Sequence, residues 1–457
     1  MKIGFISLGC SKNLVDTEMM IGLFEKNQFE IVSQPSEAEI LVVNTCGFIE
    51  SAKKEAIDTI LEMAEQKQNK CQYLIVTGCL VQRYKKELEK EIPEVDLWIS
   101  VEEYPEFWNK ITQLLRKSKK NKQLATLNLQ DEHTQTQEQK NKEICSQLDY
   151  LNRKITTSGY YAYLKIAEGC SNHCTYCAIP KIRGPYISRK MEEILEEAQK
   201  LSDAGVEEII VIAQDTTKYG IDLYGEPKLA ELLKCLCRMN FRWIRFLYSY
   251  PETITDELIQ TVKEESKICN YFDIPMQHVS NPVLKRMGRK SSGETIRNVV
   301  KKIREQIPEV VLRTTFITGF PGETEEQFEE LKEFVKETKF DRLGVFPYSK
   351  EDGTPAVKSD GHMKMNIKKA RANEIMKIQK EISYQNNQAL IGKELEVLLE
   401  DITADGEYYI GRSTREVPDD TDGIVFVKNT NELIIGDFVK VIVEQALDYD
   451  LITRIKL

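Results

Sequence analysis

The chain has no run of eighteen or more apolar residues, which excludes a membrane-spanning helix. Its first ten residues read as a short strand with one lysine and lack the charged start and long apolar stretch of a secretory leader, so a cytoplasmic protein is expected. Positive charge is in deficit. The 63 Lys and Arg stand against 73 Asp and Glu, a net charge of −10, and affinity for phosphate backbones rests largely on Lys and Arg. A general nucleic-acid-binding role is therefore opposed. Histidine is scarce, at four residues. No second C-x2-C or H-x3-H pair follows the one at Cys174 and Cys177, although zinc motifs usually require it.

Cysteine is plentiful. Eleven in a chain without a leader point to metal ligands or buried thiols rather than disulfides. Cys170, Cys174 and Cys177 form C-x3-C-x2-C directly after an apolar run at 160–166. A 4Fe-4S cluster of the ferredoxin type takes four thiolates, so three in eight residues with no fourth nearby would leave one iron open for chemistry. A zinc knuckle is the competing reading.

The length suggests about three domains. In residues 1–115, three apolar runs end in Cys10, Cys46 and Cys79, each followed by a helical pattern, as in a parallel sheet. Ligands of such sheets gather at the carboxyl ends of the strands. These cysteines are thus a candidate second three-thiolate site, with buried structural thiols as the alternative. Cys71 falls outside the pattern. Residues 116–154 are polar and too poor in apolar side chains for a core of their own, which makes them a linker; His133 and Cys145 in it are read as incidental.

Residues 155–385 alternate strand and helix six times, with strands expected at 161–166, 208–213, 244–249, 271–274, 310–317 and 343–348, as in a partial β/α barrel. Thr324 and Gln327 have capping-box spacing. His278 reads as a hydrogen-bonded histidine of the site, and Cys235 and Cys237 face different directions on a helix. Five short strands in residues 388–457 suggest a small antiparallel barrel. That segment holds 7 Lys and Arg against 15 Asp and Glu, a formal charge of −8. Its run Glu416, Asp419, Asp420 and Asp422 is expected to attract a basic partner.

The C-x3-C-x2-C signature resembles that of the radical S-adenosylmethionine (SAM) superfamily. The words LGCSKNLVDTE at 8–18, NTCGFIESA at 44–52 and GCLVQRY at 78–84 resemble its methylthiotransferase family. The resemblance implies an α/β chain: an N-terminal parallel sheet domain, a central partial radical SAM barrel and a closing OB-like TRAM barrel. It implies two 4Fe-4S clusters, one on Cys170, Cys174 and Cys177 and an auxiliary one on Cys10, Cys46 and Cys79, with SAM on the open iron of the first. Ile317 and Gly319 match part of a stretch that lies along SAM, although Thr315 replaces its first glycine and Glu323 is one place late.

Segments 170–189, 213–217, 343–349 and 416–419 look most like the branch that methylthiolates an aspartate β-carbon in small-subunit ribosomal protein number twelve. Close relatives modify tRNA adenosine. Cofactors would carry the radical chemistry, so no side chain is assigned as catalytic. The implied partners are a basic ribosomal protein and a reductant such as flavodoxin or ferredoxin, without direct tRNA binding. A non-catalytic iron-sulfur module is the remaining alternative.

Overall fold

The computed structural model describes residues 1–117, 149–418, 422–429 and 433–456; His133, Cys145, Asp419 and Asp420 lie outside them. Strands β1 (Lys2–Ser7), β2 (Glu30–Ile31), β3 (Ile40–Thr45), β4 (Tyr73–Gly78) and β5 (Leu97–Ile99) form a parallel sheet in the order β2-β1-β3-β4-β5. Every residue of β3 and β4 is buried, as expected of parallel strands covered on both faces. Pairing of Ser7 with Asn44 and of Asn44 with Thr77 aligns the carboxyl ends of β1, β3 and β4.

The central domain begins with β6 (Tyr161–Lys165) and a two-stranded ribbon of β7 (Ala167–Glu168) and β8 (Ile187–Ser188) that frames the cysteine loop. It continues through β9 (Glu208–Ile212), β10 (Trp243–Phe246), β11 (Tyr271–Gln277), β12 (Val311–Thr318) and β13 (Arg342–Pro347). Sheets β10-β9-β6 and β11-β12-β13 meet where the Ser249 N–H donates to the Asp273 carbonyl at 2.8 Å. The result is six parallel strands in chain order, with β6 and β13 as open edges. Strand β11 runs past residue 274 through a register shift between Ile274 and Gln277, because Pro275 has no N–H for the ladder. Strand β10 stops early, and Tyr248 just beyond it turns out of the sheet at φ +64°.

Alternation sends Ile209 and Val211 toward the covering helices and Ile210 and Ile212 to the opposite face. That second face is filled from both neighbours. Val15 and Met19 of helix Ser11–Lys26 pack there against Tyr163, Ile210 and Trp243, beside Leu398 and Val417 of the last domain.

The last domain is a closed barrel in the order β14-β15-β16-β18-β17, with β14 (Glu394–Ile402), β15 (Tyr408–Arg412), β16 (Val425–Lys428), β17 (Phe438–Ala446) and β18 (Leu451–Ile455). Its ladders are antiparallel except β16 with β18, which is parallel. Of the acidic run, the two described residues, Glu416 and Asp422, are buried rather than open for docking. Glu416 is 1% exposed and accepts from Arg342 Nη2 at 2.8 Å. Asp422 is 2% exposed and accepts from Arg313 Nε at 3.2 Å, with the Tyr271 hydroxyl on its other oxygen. These carboxylates fasten the barrel to the central domain.

Candidate active site

Three strand ends bring Cys10, Cys46 and Cys79 together. Cys10 caps helix Ser11–Lys26, Cys46 directly follows β3, and Cys79 opens helix Cys79–Glu91. The approach needs glycine twice. Gly78 sits at φ +102°, and a Cβ on Gly9, at φ +90°, would lie 2.7 Å from Cys46 Cβ and 3.0 Å from its Sγ. Burial pushes the Cys46 thiol up, and the neighbouring Cys10 adds to the shift. Burial pushes Cys79 up to about 12 against the opposing charge of Arg183.

Cys170, Cys174 and Cys177 lie on the loop after β7. Gly169, at φ +71°, turns the chain into that loop, and a Cβ there would fall 2.0 Å from the Pro185 carbonyl oxygen. The Thr175 N–H donates to the Met287 carbonyl at 2.9 Å, and the Thr175 carbonyl accepts from Ala356 N–H at 2.9 Å. Burial, with Cys174 and Cys170 adding to it, pushes Cys177 up to about 12. Among the described residues no three His, Cys, Asp or Glu side chains surround a single ion position. Ligands spread over the irons of a cluster need no such common centre.

The two triads are neighbours. Cys79 shares a buried apolar cluster with Ala178 and Ile182, the first of which directly follows Cys177. Between the triads lies a buried network: Lys165 Nζ donates to Asp16 Oδ1 at 2.5 Å and Glu168 Oε2 at 2.8 Å, while Arg183 Nη1 donates to Asp16 Oδ2 at 2.5 Å.

Other residues of the mouth include Asp215, which accepts from Asn172 Nδ2 at 2.9 Å and from the Thr217 hydroxyl at 2.8 Å. Burial raises its pKa despite these bonds. Arg289 lies over the Tyr250 ring at 4.2 Å and donates one Nη2 bond to the Pro275 carbonyl, while its Nε and Nη1 are buried without a protein partner. Burial would lower the pKa of this guanidinium, but Tyr176, Tyr250 and Cys174 beside it push it up. Ile317 packs in the cluster that includes Tyr176 of the cysteine loop and Phe320. The Gly319 N–H donates to Glu323 Oε2 at 2.9 Å, and a Cβ on Gly319 would meet the Lys368 side chain.

His278 is fully buried, accepts from Ser280 N–H at Nδ1, and faces Glu323 Oε2 at 3.6 Å. Burial alone would raise the Glu323 pKa, but His278, Arg371 and the Gly319 N–H hold it below the usual range. Cys71 donates to the Tyr73 carbonyl, apart from both triads.

Family models match along the chain: the family described as "Uncharacterized protein family UPF0004" over residues 2–100, the radical SAM superfamily over 164–335 and the TRAM domain over 391–455. The "Ribosomal protein uS12 methylthiotransferase RimO" of Alkaliphilus oremlandii is 58% identical over 453 residues, covering 99% of this chain and 98% of its own. The chain belongs to the RimO family of radical SAM methylthiotransferases. RimO proteins of Acetivibrio thermocellus, 49% identical over 457 residues, and Clostridioides difficile, 48% over 453 residues, each cover 99% of this chain and 98% of their own. Among solved structures, the radical SAM methyltransferase TsrM of Kitasatospora setae aligns with TM-score 0.57 at 13% identity, covering 78% of this chain and 74% of its own. That likeness concerns the fold alone. As a radical SAM methylthiotransferase of the RimO family, this enzyme is implied to use a 4Fe-4S cluster and SAM. No helix among the described residues is long and apolar enough to cross a membrane.

Sequence reasoning missed Arg183, Asp16, Lys165 and Arg289. A signal existed for Lys165, a charge between Leu164 and Ile166 in a strand otherwise fit for full burial.

Proposed function

We propose that this enzyme methylthiolates the β-carbon of an aspartate in ribosomal protein uS12, with a radical SAM cluster on Cys170, Cys174 and Cys177 and an auxiliary 4Fe-4S cluster on Cys10, Cys46 and Cys79. The observation that carries this reading is the contact of Cys79 with Ala178 and Ile182. A sulfur source and a radical source that serve one carbon atom must stand together, and this contact puts the triads side by side. The residues fit the groups: each site offers three thiols, and the buried, unpartnered Nε and Nη1 of Arg289 offer positive charge beside Cys174. When bound, the two clusters and SAM supply hydrogen-atom abstraction from an unactivated C–H bond and the sulfur and methyl to be transferred.

The chain's own residues position and enclose. Arg289 presents its guanidinium to anionic ligands of the cysteine loop, and the apolar cluster of Tyr176, Ile317 and Phe320 keeps water from one side of that loop. Asn172, held by Asp215, and the Thr175 backbone, held between Met287 and Ala356, keep the loop in place for loading. The uS12 substrate is taken from the name that relatives with 58%, 49% and 48% identity carry. The net charge of −10 suits a basic protein and opposes tRNA. A small acidic redox protein of the flavodoxin or ferredoxin class is the proposed electron donor.

The test is anaerobic reconstitution with iron and sulfide, followed by incubation with SAM, reductant and either uS12 or tRNA. About eight irons per chain and a methylthio group on uS12 are expected. About four irons, unchanged on replacing Cys46, would remove the auxiliary cluster, and methylthiolated adenosine without modified uS12 would replace the substrate.

A further inference from the structure

We propose that Arg183, a residue of the central domain, is the positioning residue of the N-terminal triad: it donates to the Cys79 sulfur, seats that triad against the second one, and raises the reduction potential of the cluster held there. The inference rests on the auxiliary-cluster reading above.

Arg183 is 6% exposed, and both of its Nη groups are engaged. Nη1 donates to Asp16 Oδ2 at 2.5 Å and to Glu168 Oε2 at 3.3 Å. Nη2 donates to Asn13 Oδ1 at 2.6 Å and to Cys79 Sγ at 3.6 Å. Asn13 cannot turn its amide round, because its Nδ2 already donates to the Leu8 and Thr45 carbonyls at 2.9 and 3.0 Å. Its Oδ1 therefore faces Arg183, and the Nη2 group is aimed at the space between Asn13 and Cys79. A planar guanidinium makes both sets of contacts at once; an ammonium on a flexible stem does not.

Charge balance gives the sulfur contact its weight. Lys165 and Arg183 face Asp16 and Glu168, two cations against two carboxylates, all at most 8% exposed. The network is neutral without the thiol. A ligand that adds negative charge at Cys79 on reduction meets the fixed N–H and positive charge of Arg183 in a site with little screening water. Hydrogen bonds to ligand sulfurs favour the reduced, more negative state and so raise the potential. Arg183 ends the helix Ile179–Arg183, which starts two residues after Cys177. One short helix thus carries a connection from the second triad to the first.

The test uses the full chain with Cys170, Cys174 and Cys177 all replaced by alanine, reconstituted anaerobically so that only the N-terminal site is loaded. Iron is counted, and the reduced fraction is followed by electron paramagnetic resonance during a redox titration. Arg183→Lys is then added, and separately Arg183→Met with Asp16→Asn, which keeps the network neutral if the first change impairs folding. About four irons are expected in all three proteins. In both added variants the reduced-to-oxidised ratio at a fixed potential should fall about tenfold, a shift of about 59 mV for a one-electron couple. Arg183 variants that hold about four irons and titrate with the parent overturn the proposal. A parent that binds no iron instead overturns the auxiliary-cluster reading on which it stands.

Discussion

Replacing Glu416 with glutamine removes a charge without removing volume, and the expected effect falls on the seat of the last barrel rather than on catalysis. Glu416 accepts from Arg342 at 2.8 Å, from the Ser413 N–H at 2.9 Å and from the Ser413 hydroxyl at 2.7 Å. Burial would raise its pKa, but Arg342 and these donors hold it below the usual carboxylate range. The substitution leaves Arg342 buried with Asp422 and Asp341 as its nearest countercharges. Breaking a buried pair costs about 3–5 kcal/mol, and this partial compensation places the loss near about 3. At about 1.4 kcal/mol per decade, amides that exchange only when the barrel lifts should exchange roughly a hundredfold faster.

Native-state hydrogen exchange on residues 408–428 reads this directly. The difference should be full at neutral pH and shrink as pH falls below the usual carboxylate range, since a group with a depressed pKa loses its contribution on protonation. Equal protection in both proteins at pH 7 would refute the assignment of Glu416 as a fastening group. It would return the acidic run to the role of a solvated face.

Cys174→Ala should abolish reductive cleavage of SAM, and undiminished formation of 5′-deoxyadenosine would contradict the radical SAM site. Cys79→Ala should leave SAM cleavage measurable while methylthio transfer disappears; product from this variant would exclude the N-terminal triad as the sulfur site. Gly9→Ala drives a Cβ into Cys46, so iron should drop from about eight to about four per chain with the far-ultraviolet spectrum retained, and full loading would count against the site. The Glu103 carboxylate, despite burial, is held down to about 2 by Lys85, the Ser100 N–H and Lys110. Its contribution is complete above about pH 4.3, its unfolded value, and lost toward pH 2. Glu103→Gln should therefore lower stability by about 1 kcal/mol at pH 7, with the difference from the unaltered protein closing only as pH falls below about 2.

The gathering of each cysteine set at one place in the fold was legible because spacing and strand pattern are local properties. C-x3-C-x2-C needs no fold to be seen, and three apolar runs ending in cysteine align once a parallel sheet is assumed. The burial of Glu416 and Asp422 was not legible, for the opposite reason. The cations that neutralise Glu416 and Asp422 lie 74 and 109 positions away, so composition shows the carboxylates as unpaired. Helix Ser11–Lys26 is another case. Its Lys12, Asp16 and Glu18 are all buried, Asp16 against Lys165 and Glu18 against Arg153, partners 149 and 135 positions away. At Gly319, matched to the SAM stretch on a partial motif, the lack of a side chain also admits Lys368, a neighbour 49 positions on that no local pattern announces.

Helix Ser11–Lys26 also imposes an order on biosynthesis. It emerges early, yet the face that buries Val15 and Met19 includes Tyr163, Trp243 and Tyr271, which at 5–20 residues per second follow it by roughly 10–50 s. During that interval Val15 and Met19 have no seat, and Asp16 and Glu18 have no cations. The donor for Cys79 comes 104 residues after it. Cys10, Cys46 and Cys79 therefore belong to a pocket that is finished only after much of the later chain exists, so anything that pocket takes up is seated late in the maturation of the protein.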